Sequence, residues 1–176
     1  MANLSAKLDS VLSIDEIEKT GTHEVVDHVF SGTTCGDERV LAATSQLHQR
    51  AQEIRHQRVN WQSYLQSQMI SQEDFQFITQ YESATGADQR SQLLGQYGEQ
   101  CAHTFNSLLG HISKDQTIQY ILCLIDDMVL EDKSRVEVFK EYSKKKKQSV
   151  WNTFLNLLNR NDTFIQNMVS HWDPFQ

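Results

Sequence analysis

The strongest constraint on this chain is the spacing of its apolar residues between Cys101 and Val129. Cys101, Phe105, Leu108, Leu109 and Ile112 fall at i, i+4, i+7, i+8 and i+11, the period of one helical face. Ile118, Ile121, Leu122, Ile125, Met128 and Val129 then repeat that period. Only a few residues separate the two stripes, so the spacing predicts two antiparallel helices joined as a hairpin. A single helix does not bury enough apolar surface to offset the ordering of its own backbone. Each stripe therefore requires neighbours.

Those neighbours are written on both sides. From Val40 to Val59 a thin stripe of Leu41, Leu47, Ala51 and Ile54 predicts a largely polar helix. Asn60 reads as an N-cap for a segment carrying Trp61, Tyr64, Leu65 and Gln68 on one face, closed by Met69 and Ile70. Ser71 with Asp74 three residues on resembles a capping box for a helix bearing Phe75, Phe77, Ile78, Tyr81 and Glu82. A turn at Ser83–Asp88 follows, and the core is expected to begin near Glu99. Asp115 is the expected N-cap of the second core helix.

Beyond that helix, Ser134 is expected to cap a short one with Val136, Phe139 and Tyr142. Val150, Trp151, Phe154, Leu155 and Leu158 make another stripe. Asp162 caps a last helix with Phe164, Ile165, Met168, Val169 and Trp172. No following repeat within this chain is expected to cover that helix, so Phe164, Ile165, Met168 and Trp172 are expected to be partly exposed, pointing to a missing continuation or an interface. Trp61, Tyr64, Phe105 and Trp151 read as core anchors.

One proline and seven glycines in 176 residues leave little of the punctuation that sheets require. The expected fold class is all-α. Short helices renewing an apolar stripe point to a partial HEAT/armadillo-like helical repeat solenoid, whose repeats run to about 40–47 residues. A plain helical bundle fits the same periodicity. Residues 1–38 stand apart, with eight acidic side chains against Lys7 and Lys19. They read as a flexible acidic N-terminal tail, leaving 39–176 as the repeat region.

Chemistry is sparse. Cys35, Cys101 and Cys123 are odd in number and contain no C-x-x-C, which fits reduced thiols in a cytosolic chain. His23 and His28 are five apart, not the four that a helical zinc pair needs. His48 and His56, like His103 and His111, are two helical turns apart, too far to share a metal. Asp126 and Asp127 are adjacent, diverge around a helix and read as a solvated edge. Phosphate loops, nucleophile elbows and dinucleotide fingerprints are absent from the sequence. No catalytic residue, metal or cofactor is expected. The net charge of −7 disfavours nucleic-acid binding. The most apolar run, Ile118–Leu130, is too short to span a bilayer, and no secretory leader is expected. Lys144, Lys145, Lys146 and Lys147 are the sharpest charge feature. They read as a solvated loop between helices or as a patch for an acidic protein surface or anionic lipid. With Phe164, Met168 and Trp172 they form the candidate partner-contact set.

Several stretches carry a family resemblance. Val59-Asn60-Trp61-Gln62-Ser63-Tyr64-Leu65-Gln66, running into Gln68-Met69-Ile70-Ser71, is similar to the N-terminal signature of the H subunit of vacuolar-type proton ATPases. So are Gln100-Cys101-Ala102 with Thr104-Phe105, Gln116-Thr117-Ile118-Gln119-Tyr120-Ile121-Leu122, and Asp126-Asp127-Met128. Phe154-Leu155 and Leu158-Asn159-Arg160 extend the likeness, which runs from about Ile54 to Asp162. The resemblance implies an α-solenoid of HEAT or armadillo type in a non-catalytic, regulatory subunit of the cytosolic sector. It implies contact with the peripheral stalk of E and G subunits, and membrane association only through the pump of vacuolar, endosomal or lysosomal membranes. ATP is hydrolysed on other subunits, and a C-terminal domain of the family restrains that hydrolysis. The family's chains run to more than twice this length. Residues from Ser170 to Gln176 are expected to leave the family pattern. The competing reading is a helical-repeat adaptor that binds peptides in membrane trafficking.

Overall fold

The computed structural model describes the backbone of residues 37–147 and 149–171, and the side chains of residues 44–147 and 149–170. The expected acidic tail at 1–38, the His23 and His28 pair, Cys35 and Trp172 lie outside the described side chains. Every regular element described is helical. The elements are α1 (Asp37–Arg55), α2 (Trp61–Gln66), α3 (Gln72–Ser83), α4 (Ala87–His111), α5 (Asp115–Glu131), a 3-10 turn (Lys133–Arg135), α6 (Val136–Lys146), α7 (Trp151–Leu157) and α8 (Thr163–His171).

Helices α4 and α5 are the hub. The first packs against α3, α5, α6 and α7, and the second against α1, α4 and α8. This gives two rows, α3–α4–α6 and α1–α5–α8, joined where α4 meets α5. Such stacking lets each short helix hide its stripe on the next, as helical repeat arrays do. The predicted hairpin stripes are its centre: Cys101, Phe105, Leu108, Ile118, Ile121, Ile125 and Met128 are all fully buried. Phe105 sits edge-on to Tyr81 at 5.5 Å and to Phe77 at 6.4 Å between ring centroids. Phe139, Phe154 and Trp151 form a second aromatic group, with Phe139 edge-on to Phe154 at 6.2 Å. Of the expected anchors, Trp61 and Phe105 are buried, while Tyr64 and Trp151 are half-buried.

Local chemistry places the helix ends. The Asn60 side chain accepts from the Ser63 amide at 3.1 Å, and Ser71 Oγ accepts from the Asp74 amide at 3.0 Å, as an N-cap requires. The Asp162 carboxylate accepts from the Ile165 amide at 2.9 Å. The other two expected caps are displaced. Lys114, not Asp115, is the N-cap of α5. Asp115 instead opens the helix, where its carboxylate favours the positive end of the helix dipole and takes Arg160 Nη1 at 2.5 Å. Arg135, not Ser134, is the N-cap of α6, while Asp132 caps the preceding 3-10 turn by accepting from the Ser134 amide at 2.9 Å.

Four further expectations are corrected. The first core helix begins at Ala87 rather than near Glu99, and it buries Leu93 and Leu94. Its α-helical backbone breaks at Tyr97 (φ −127°, ψ 34°), between Gly95 and Gly98, which split the apolar stripe. Gln68 does not continue the α2 face, because the helix ends at Gln66 and Gln68 adopts a left-handed backbone (φ 58°). On α7, Leu157 is buried while Leu155 is 53% exposed, so the stripe is rotated from the expected one. Phe164, Ile165 and Met168 are buried rather than partly exposed, because α8 lies across α5 and α7 and turns its apolar face inward.

Candidate functional site

Reactive side chains are quiet throughout the described residues. Cys101 and Cys123 are free and buried. Burial pushes the Cys101 thiol well above its ordinary range, and the Cys123 thiol up to about 12. Cys101 Sγ rests 3.9 Å from Met128 Sδ. His48, His56 and His111 each place Nδ1 within 2.7–2.8 Å of a carbonyl four residues back, on Thr44, Gln52 and Ser107. Among the described residues no group of three or more His, Cys, Asp or Glu could hold a metal.

Asp126 and Asp127 are not a solvated edge. Arg55, from the last turn of α1, donates through Nε to both Asp127 oxygens at 2.9 Å and through Nη2 to Oδ1 at 2.6 Å. Asp126 Oδ2 lies 3.5 Å from the same Nη2. Arg90 of α4 and Arg135 of the 3-10 turn converge likewise on Glu131. Arg135 is buried and also reaches the Met128 carbonyl at 3.3 Å and Ser91 Oγ at 2.6 Å. Trp61 Nε1 and Tyr120 Oη share Glu82 Oε1 at 2.9 and 2.8 Å. These contacts hold helices together around a hollow of about 290 Å³ whose lining includes Arg55, Glu82, Arg90 and Tyr120.

What remains open is a surface where α3, α4 and α6 meet. The break at Tyr97 opens a groove of about 400 Å³ lined by Glu73, Gln96, Tyr97, Glu99, His103 and Lys146, among others. A second hollow of about 350 Å³ lies beside it, walled by Gly95, Gly98, Glu99, Val138, Glu141 and Lys145. Gly98 faces α6, where a β-carbon would stand 3.6 Å from a Val138 methyl, an ordinary contact. Tyr97, in the lining of the first groove, is left 43% exposed.

The lysine run is brought to this surface. It is not a loop, because Lys144–Lys146 form the last turn of α6, where cations favour the negative end of the helix dipole. Lys147 ends the helix in a left-handed backbone (φ 52°). Lys145 Nζ reaches Glu99 Oε2 at 2.9 Å, and Lys146 Nζ lies 3.8 Å from Oε1. The hydrogen bond from Lys145 holds the Glu99 carboxyl below its ordinary range, and Glu99 in turn raises the Lys145 ammonium. Lys146 Nζ also stands 5.8 Å over the Tyr142 ring. Phe164 and Met168 do not join the lysines; they are buried in α8. Tyr97, Glu99 and Glu73 are site residues that the sequence pattern does not single out. The one signal it holds for them is Gly95-Gln96-Tyr97-Gly98, two glycines flanking a large aromatic inside a helical run.

Behind the groove stands Asp74, buried at 2% exposure. Its Oδ2 accepts from the Ser71 and Ser107 hydroxyls at 2.8 and 3.0 Å. Its Oδ1 has no hydrogen-bond partner and faces His103 Nε2 at 4.0 Å. His103 Nδ1 lies 2.9 Å from Tyr142 Oη.

The family described as the V-ATPase H subunit matches over residues 45–172, extending the resemblance at both ends and through Ser170. The chain is similar to the V-type proton ATPase H subunit of Drosophila melanogaster, 49% identical over 131 residues, covering 74% of this chain and 27% of the fly protein. It is also similar to the second of the probable V-type proton ATPase H subunits of Caenorhabditis elegans, 44% identical over 133 residues (74% of this chain, 28% of that protein). To the probable V-type proton ATPase H subunit of Oryza sativa subsp. japonica it is 31% identical over 108 residues (61% of this chain, 24% of that protein). The chain thus spans about a quarter of the length of these relatives. The matched span includes the α4–α5 hub, the Arg55–Asp127 pair and the Tyr97 groove, and on that match the chain belongs to the family of V-ATPase H subunits.

Proposed function

We propose that this chain acts as a non-catalytic subunit in the cytosolic sector of a vacuolar-type proton pump, contacting the peripheral stalk of E and G subunits. The observation that carries this reading is the family match over 45–172, supported at 49% identity by a relative named as a pump subunit. The internal chemistry agrees in kind. The described thiols are buried, and Asp127, Glu131 and Asp115 are tied to arginines across helix contacts. The outer faces of short stacked helices are suited to holding a neighbour rather than transforming a substrate. No described helix is long and apolar enough to cross a membrane, so membrane association in this reading runs through other subunits, on the cytosolic face of acidified organelles. The lysines at the end of α6 and the Tyr97 groove are the surface assigned to partner contact.

The test is direct binding of the purified chain to a purified E–G pair, read by calorimetry. Saturable one-to-one binding at micromolar concentration is expected. Absence of binding at that concentration would remove the stalk contact from the reading.

A further inference from the structure

We infer that the groove at the α4 break is a receptor for an arginine side chain presented by a partner protein, with Tyr97 and Glu73 as its principal contacts. Charge is the first support. Glu73, Glu99 and Glu141 line the two hollows, and Asp74 lies behind them, while the cations among the lining residues are Lys145 and Lys146. Both lysines are committed to Glu99. Three lining carboxylates thus face two ammoniums, and a cleft lined with excess negative charge draws in cations.

The second support is Asp74. Its position in the first turn of α3 explains the Ser71 contact at Oδ2, which belongs to the helix cap, and Ser107 of α4 supplies the second hydroxyl there. It does not explain Oδ1, which is buried, has no hydrogen bond, and faces the imidazole that lines the groove. Hydroxyl donors do not cancel the charge of a buried carboxylate, so its field reaches the groove through His103.

The third support is precedent within the chain, where Lys146 already lies over the Tyr142 face. Tyr97 offers a second aromatic surface, exposed and beside Glu73 in the same lining. A planar guanidinium stacks on such a ring and pairs with a carboxylate at its edge, whereas an ammonium is a hydrated point charge without that fit. Arginine is therefore the occupant, and a protein segment is its source. This inference rests on the proposed stalk contact only for the partner's identity; the site is tested without the stalk.

The full chain is titrated with capped Ala-Arg-Ala amide, and with the lysine analogue, while the Tyr97 ring and His103 imidazole signals are followed by NMR. The arginine peptide is expected to shift both, and to bind roughly two- to fivefold more tightly than the lysine peptide, as suits an exposed cation–π contact. Glu73→Gln, read at Tyr97, and Tyr97→Ala, read at His103, are each expected to weaken it by a similar factor. Circular dichroism checks that both variants remain folded. No localised shift, equal binding of the two peptides, or undiminished binding in either variant overturns the site, whatever the E–G pair does. Peptide binding without E–G binding leaves the site standing and removes the stalk reading instead.

Discussion

Arg55 closes a two-point contact on Asp127, with Nε 2.9 Å from both carboxylate oxygens and Nη2 2.6 Å from one of them. It joins the last turn of the first described helix to the hub helix, 72 residues later in the chain. Both side chains are partly exposed, at 29% and 39%, so the pair is worth less than a buried one. Its forked geometry makes it worth more than a typical surface contact. Arg55→Ala should destabilise the chain by about 1–2 kcal/mol, about 2–8 °C in melting temperature for a domain of this size. A double-mutant cycle with Asp127→Asn checks that the loss belongs to the pair. Additive single effects would mean the contact contributes nothing.

Glu131 sets a pH dependence whose sign follows from its partners. Burial opposes its ionisation, but hydrogen bonds from Arg90 and Arg135 outweigh that and hold the carboxyl below its ordinary value of 4.5. A carboxylate depressed in the folded state contributes stability above its unfolded value. That contribution is lost as pH falls through the folded value. Wild-type stability should therefore decline as the solution is acidified below about 4.5, and Glu131→Gln should decline less steeply over that window. Urea denaturation at a series of pH values measures both slopes.

The core and the rim of the same fold should answer differently to truncation. Phe105 is fully buried between Phe77 and Tyr81, and Phe105→Ala should cost about 3–5 kcal/mol. Leu155, half exposed on α7, should lose no more than about 0.5 kcal/mol on the same change. Comparable losses at the two positions would place Leu155 in the core, where the sequence pattern put it.

Thiol chemistry reports the core directly. In a chain carrying Cys35→Ser, neither remaining cysteine should react with a thiol reagent at neutral pH while the protein is folded. Cys101 is buried with its thiol raised by desolvation, and burial lifts Cys123 to about 12. Two thiols should appear together on unfolding in denaturant. Rapid reaction of one thiol under native conditions would show that the α4–α5 hub opens locally.

How much of this is legible in the residues alone depends on periodicity. The stripes of α4 and α5 place Phe105, Ile118 and Ile125 in the core because a buried face must recur at the helical period. Asn60, Ser71 and Asp162 are readable as caps because each needs only a local oxygen within three residues of an amide. Asp115 and Ser134 each miss by one position, since several polar residues compete for one cap and only the backbone decides. The Asp126–Asp127 contact is invisible because Arg55 lies far away in sequence, and nothing local announces a pairing across 71 residues or more. Phe164 and Met168 are expected at the surface if cover is sought only further along the chain. The cover comes from α5 and α7, which precede them. The Tyr97 groove escapes for a related reason: two glycines in a helix weaken the pattern without saying which way the chain turns.

Those glycines yield the last prediction. A β-carbon at Gly95 would meet nothing within 4 Å, while at Gly98 it would meet the Val138 methyls at 3.6 and 3.7 Å, an ordinary contact. Neither position carries the left-handed backbone that reserves a site for glycine. The helix break therefore sits at Tyr97 itself, and space alone does not require glycine on either side. Gly95→Ala should stabilise the chain by about 0.5–1 kcal/mol, because alanine loses less backbone freedom in a helix. Gly98→Ala should gain no more than that. If either change destabilises the protein beyond about 1 kcal/mol in urea, the break depends on glycine flexibility, and the groove is held open by a hinge rather than by the packing of α3 and α6 around it.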